Sequence, residues 1–202
     1  MEWDAARWEE HAREFAEFIE PIVAGLGRRE RRVGAAAYVQ GLLLPGERKS
    51  IEPLAQRVQM DSQPLQQLLA DSPWETDVVW QGITRDLVPL LGTPNAWIID
   101  ETGWLKQGAH SVGVAHQYGG AVGKQANCQV SVHLSVSNGT LAAPIAARLF
   151  LPHSWIDDPK RRQQTGVPAA VRFQSKPELA AERIEAAGAA GVPPACVLGD
   201  NL

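Results

Sequence analysis

Two aspartates in this sequence each stand at the end of a short apolar run. Asp100 follows Trp97, Ile98 and Ile99 and precedes Glu101, Thr102, Gly103 and Trp104; Asp200 closes the run Ala195, Cys196, Val197, Leu198 and Gly199. Bulky, β-favouring residues of this kind read as strand interiors. A carboxylate at such a position must be hydrated, paired or metal-bound to survive desolvation. Two strands of this design laid side by side bring Asp100 and Asp200 together. Side chains alternate along a strand, so Asp100 shares a face with Ile98 while Glu101 points the other way with Ile99. Asp100 is therefore the candidate, and Glu101 enters the same site only through a bulge. The plain alternative is that both aspartates cap loops at strand ends.

Around that pair the sequence offers basic and amide side chains. Arg28, Arg29, Arg31 and Arg32 open a helical stretch, but Glu30 interrupts them and a charged helix start is commonly a solvated face. Arg48, Lys49 and Arg57 flank two short helices and are better placed to meet phosphates. In the second of these helices Leu65, Leu68 and Leu69 read as core, which leaves Gln63, Gln66 and Gln67 outward, and a glutamine amide can read adenine. Lys106, His110, His116 and Lys124 decorate a glycine-rich loop beside the Asp100 strand. That loop is no phosphate-binding loop, since Gly119-Gly-Ala-Val-Gly-Lys lacks the first glycine of the pattern and precedes a strand. His110, His116 and His133 have no zinc-site spacing and read as hydrogen-bonded residues.

The elements that must position these groups fall into two halves. Residues 3–24 read as a helix with Trp8, Phe15, Ile19 and Ile22 on one face, kinked at Pro21 and ended by Gly25 and Gly27. A second helix carries Val33, Ala37, Tyr38 and Leu42 inward and closes at Pro45-Gly46. Residues 51–58 and 64–70 form two short helices of helix-turn-helix size, the second capped by Asp61 or Ser62 with Pro64 in its first turn. A further helix from Thr76 faces Val79, Ile83, Leu87 and Leu90 inward. Composition shifts at residues 92–94, so residues 1–92 are expected to be an all-helical domain and residues 93–202 a second domain rich in strands. After the Asp100 strand and the glycine-rich loop, Cys128, Val130, Val132, Leu134 and Val136 alternate with Gln129, Ser131, His133 and Ser135. Asn138-Gly139 turns that strand into its hairpin partner at residues 143–151. Residues 152–168 read as an irregular polar connection, and residues 176–190 as a helix with Leu179 and Ile184 on the sheet. Strand, hairpin, helix, strand places the Asp200 strand parallel to the Asp100 strand through a crossover helix. The fold class is thus α+β to α/β: a helical domain followed by a partial ribonuclease-H-like mixed sheet.

Composition limits the alternatives. At 202 residues and 45% hydrophobic, the chain can bury roughly 70% of its unfolded surface in one core or divide into two small domains. A net charge of -4, from 19 basic and 23 acidic residues, excludes a uniformly basic nucleic-acid wrapper but leaves room for a local basic face. Cys128 and Cys196 lie in strands without metal-ligand spacing, so two buried, reduced thiols are expected. Trp97, Trp104 and Trp155 are expected to pack in the interior. With no signal core and no membrane-length apolar run, a cytoplasmic protein is expected.

Taken together, Asp100-Glu-Thr-Gly, Ser111-Val-Gly-Val-Ala-His-Gln-Tyr, Asn127-Cys-Gln-Val, Leu149-Phe-Leu-Pro into Ser154-Trp155, Gly166-Val-Pro, Lys176-Pro-Glu-Leu and Leu198-Gly-Asp200 resemble insertion-sequence transposases of the aspartate-aspartate-glutamate class, in particular the seven-oh-one group of bacterial insertion sequences. The resemblance runs from about Arg32 onward and includes Pro45-Gly-Glu-Arg-Lys-Ser and Leu69-Ala-Asp-Ser-Pro-Trp. It implies a DNA endonuclease that cuts and joins strands, with Asp100 and Asp200 holding Mg2+ or Mn2+ in a two-metal arrangement and double-stranded DNA, at element ends and target, as partner. Two ionised carboxylates ~4 Å apart repel by about 4 kcal/mol at an effective dielectric of about 20, a cost that a shared divalent ion reverses. Two departures stand out: His116 occupies a position where such proteins often carry arginine, and the family's third acid, a glutamate on a later helix, has no counterpart here. The expectation is a truncated form, inactive alone and prone to self-association into a homo-oligomer. The alternatives are a non-catalytic, DNA-binding regulatory remnant and a metal-independent acid-pair hydrolase.

Overall fold

The computed structural model describes residues 5–199, with the side chains of residues 5–8 and 121 left aside. The chain divides into two compact units, Met1–Asp86 and Leu87–Leu202.

The first unit is helical. Helix α1 (Ala5–Val23) carries Pro21 inside it and buries Ile19, Ile22 and Val23. A short 3-10 turn then buries Leu26 and ends at Gly27, whose φ of 78° is a glycine conformation. Helix α2 (Arg29–Leu43) keeps half of the expected face: Ala37 is buried and Tyr38 packs beside it, while Val33 and Leu42 are 47% and 37% exposed and Gly34 and Gly41 take the other buried positions. Small residues win because the neighbours come close: a Cβ on Gly41 would meet Leu54 Cδ2 at 3.1 Å, and one on Gly34 would touch Leu68. The apolar bulk is supplied by α3 (Ile51–Arg57) and α4 (Ser62–Ala70), whose Leu54 and Leu65 are wholly buried. Of the two candidate caps it is Asp61 that acts, its Oδ1 accepting from Gln63 N–H at 2.8 Å. Leu69 was expected in the core and is 44% exposed, since Leu65 and Leu68 already occupy the inward face of a two-turn helix. Helix α5 (Thr76–Leu87) closes the unit, with Gly82 packed against the Ile22 backbone.

The second unit is a five-stranded mixed sheet in the order β2-β3-β1-β5, with β4 also paired to β3. Its strands are β1 (Ala96–Leu105), β2 (Ala115–Gly119), β3 (Lys124–Ser137), β4 (Ala142–Leu149) and β5 (Cys196–Gly199). The arrangement is the partial ribonuclease-H-like one, in which β1 is antiparallel to β3 and parallel to β5. One face is covered by helix α8 (Lys176–Ala189), which sets Leu179, Ala180 and Ala187 on Trp97, Ile99, Val132, Leu134, Val136 and Ile145. A capping box starts that helix: Ser175 and Glu178 satisfy each other's backbone N–H groups. The hairpin loop spans Asn138 to Leu141, longer than a two-residue turn. Asn138 Oδ1 accepts from both Thr140 and Leu141 N–H, and Gly139 takes φ 90°. In β4, Pro144 offers no N–H, and the ladder shifts register between Leu134 and Ser135 where it pairs.

The connection expected to be irregular holds two short helices, α6 (His153–Ile156) and α7 (Pro159–Thr165). The signals are local. Asp158 caps α7 through a bond from Arg161 N–H, Pro159 fills its first turn, and Gly166 at φ 72° ends it. Trp155 of α6 is wholly buried and donates to Val114 carbonyl at 2.8 Å. Two interior assignments are corrected. Trp104 is 43% exposed because it shares the uncovered face of β1, and Cys196 is exposed because, among the described residues, β5 pairs with β1 alone. Among the described residues no helix is long and apolar enough to cross a membrane.

Candidate metal centre

The two acids of β1 part company as alternation requires. Glu101 stands opposite Val132 on the covered face, where the Lys176 ammonium at the start of α8 pairs with it. Both side chains are about one-fifth exposed, at 19% and 21%. Asp100 stands opposite His133 on the other, uncovered face, and is exposed. Its Oδ1 accepts from Glu101 N–H at 2.7 Å. Among the described residues no cation forms an ion pair with it. A solvated carboxylate without a counter-charge is a hard oxygen donor, and this is the donor type that Mg2+ or Mn2+ takes. The residue therefore fits the metal that the sequence resemblance implies. Among the described residues no group of three metal-ligating side chains gathers.

Asp200 lies outside the described residues. What is described is the strand that delivers it: β5 runs parallel to β1, with Ile98 beside Leu198 and Ile99 beside Gly199.

A row of side chains extends from Asp100 along the uncovered face. Opposite residues of an antiparallel pair share a face, so the register aligns Asp100 with His133, Thr102 with Ser131 and Trp104 with Gln129. Ser131 is 5% exposed, and its Oγ shares a 2.5 Å hydrogen bond with His133 Nε2. The Trp104 ring lies 5.8 Å from the His133 ring. Burial lowers the His133 pKa from its ordinary value, and the negative charge of Asp100 opposes that in part. These neighbours of Asp100 were on the right face in the sequence; only the cross-strand register, which the sequence does not spell out, puts them beside it.

The basic candidates are distributed differently. Lys106 follows β1, His116 is exposed in β2 on the same face as Asn127, and Lys124 is exposed at the start of β3. His116 and Lys124 are five residues or more along the sheet from His133, so the structure does not gather them around Asp100. In the helical unit, two of the three proposed phosphate contacts have structural work. The Lys49 ammonium donates to Leu42 and Leu44 carbonyls at 2.6 and 3.3 Å, closing the C-terminus of α2. The Arg57 guanidinium donates to Arg48 carbonyl at 2.5 Å. Arg48, Gln66 and Gln67 are exposed, the last two along α4.

Comparison with known proteins agrees with this geometry. The sequence profile of the DDE superfamily endonucleases matches residues 21–202. The probable transposase for insertion sequence element IS701 of Microchaete diplosiphon is 30% identical over 159 residues, which cover 77% of this chain and 39% of the relative. The chain thus spans about two-fifths of the length of the curated relative it matches.

Proposed function

The chain belongs to the DDE superfamily endonucleases, and from that premise we propose that it forms part of a bacterial insertion-sequence transposase acting on double-stranded DNA in the cytoplasm. Asp100 and Asp200 are the metal-holding carboxylates of this reading. The observation that carries it is the parallel pairing of β1 with β5: Ile99 lies beside Gly199, and the next residue of each segment is an aspartate. Asp100 and Asp200 would hold Mg2+ or Mn2+, whose chemistry when bound would be to activate a water or a DNA 3'-hydroxyl and to neutralise charge at the phosphate. The chain's own part is to present Asp100 on a rigid central strand whose alternation sends Glu101 to the other face, where Lys176 pairs with it, so that the uncovered face carries one acid from β1 and not two.

Residues 1–92 serve in this reading as a DNA-binding module and residues 93–202 as the first part of the catalytic domain. Gln66 and Gln67 on α4 face bases, and Arg48 faces phosphate, while Lys49 and Arg57 act indirectly by holding the loop between α2 and α3. Lys106, His116 and Lys124 extend phosphate contact along the sheet. The family membership gives no support to a metal-independent hydrolase.

The test is thermal unfolding with and without Mg2+. An ion at about 100 times its Kd raises stability by about 2.7 kcal/mol. Stabilisation that disappears in both Asp100→Asn and Asp200→Asn is the expected result; an identical gain in either variant, or none in the parent chain, removes the shared metal centre.

A further inference from the structure

The stretch between β1 and β2, residues 106–114, is held in an unusual way. Asn127 Nδ2 donates to the carbonyls of Lys106 and Gly108 at 2.7 and 3.0 Å, the Arg161 guanidinium to Ala109 carbonyl at 2.6 Å, and Gln129 Nε2 to Val112 carbonyl at 2.5 Å. Gln117 and Trp155 reach the carbonyls of Gly113 and Val114, and Val114 N–H takes that of Ser111. The loop's acceptors are thus spent almost throughout on the protein. Its donors are not. Among the described residues the backbone N–H groups of Gln107, Gly108, Ala109, His110 and Ser111 donate to no protein acceptor, and all five residues are exposed. A backbone segment normally balances the two. Here one polarity is consumed inward and the other is left for whatever lies outside.

Unspent N–H groups in a row attract anions, and phosphate oxygens are commonly met by backbone N–H groups where nucleic acid docks. Charge agrees: residues 106–114 include Lys106 and His110 and no acid. Position agrees as well. Asn127 and Gln129, which hold the loop, project from the same face of β3 as Ser131 and His133, the row that ends opposite Asp100.

We infer that residues 107–111 form a preshaped phosphodiester-binding ridge that seats a DNA strand through backbone N–H groups farther along the sheet face that carries Asp100, with Asn127, Gln129 and Arg161 as its positioning residues. The inference rests on the reading of the chain as a DNA-handling protein and adds where, and by which atoms, the strand is held. Backbone contacts of this kind carry no sequence information, so the ridge fixes the register of the duplex and not its sequence.

Amide chemical-shift mapping of the 202-residue chain tests it, titrating a short duplex of arbitrary sequence in one arm and inorganic phosphate in the other. The expected result is that the duplex shifts the amides of residues 107–111 and that phosphate at the same phosphate concentration shifts them far less. Gln129→Ala and Asn127→Ala, each confirmed folded by circular dichroism, should weaken duplex binding about tenfold, with faster hydrogen exchange confined to the loop. Duplex binding that leaves these amides unmoved overturns the ridge while sparing the DNA reading. Equal response to phosphate overturns it in favour of a small-anion site, and no duplex binding at all overturns both.

Discussion

The two faces of the sheet treat charge in opposite ways. On the covered face Glu101 is matched by Lys176, about four-fifths withdrawn from water beneath the start of α8. On the uncovered face, one residue away, Asp100 is left in solvent with only a backbone N–H. The contrast teaches that α8 does two jobs: it supplies the apolar cover for β1 and β3, and its first residue neutralises the acid that strand alternation turns toward that cover.

That contrast can be broken by substitution. The largest effect belongs to the covered face. Leu134 is wholly buried there, and Leu134→Ala should cost about 3 kcal/mol in chemical denaturation, as truncation in a well-packed core does. Next comes the ion pair: Lys176→Ala leaves Glu101 partly buried without its partner, and a loss of about 2 kcal/mol is expected, in the range for a hydrogen bond to a charged group. Should Lys176→Ala prove neutral, the claim that Lys176 compensates the partly buried Glu101 fails. On the uncovered face Asp100→Asn should stay within about 0.5 kcal/mol of the parent without metal, because an exposed side chain has little to lose. A large loss there would mean that Asp100 is structural. The smallest effect sharpens the comparison through pH. His133 has a lowered pKa in the folded state, from burial first, against an ordinary value of 6.5. The unfolded chain therefore takes up the proton more readily, and stability falls as pH drops below about 6.5, levelling off once pH is under the folded pKa. Melting curves of His133→Asn should lack this part of the pH dependence.

Much of this was legible in the sequence, for identifiable reasons. Strand alternation separated Asp100 from Glu101 and put Ser131 and His133 on the polar face of β3, because a period of two survives any packing detail. The order of elements and the parallel placement of β5 followed from connection rules. Less legible were features set by shape or by distant partners. On α2 the sequence shows Ala37 and Tyr38 but not Gly34 and Gly41 as inward, because glycine carries no apolar signal and the bulk there arrives from Leu54 and Leu68 of other helices. Helices α6 and α7 were passed over although Asp158, Pro159 and Gly166 mark the second, since each is too short to show a period. The bracing of residues 106–114 could not be read at all. Its donors lie at positions 117, 127, 129, 155 and 161, and nothing local to an asparagine or glutamine says which carbonyl it will reach.

The two thiols differ in reach, and this has a practical consequence. Cys128 is fully enclosed in β3, where burial pushes its pKa up, while Cys196 is exposed in β5 and paired in register with Ala96. A maleimide dye added to the unaltered protein should therefore attach at one place only. That gives a fluorescent reporter four positions before Asp200 with no engineering, able to test the metal and DNA binding proposed for this strand.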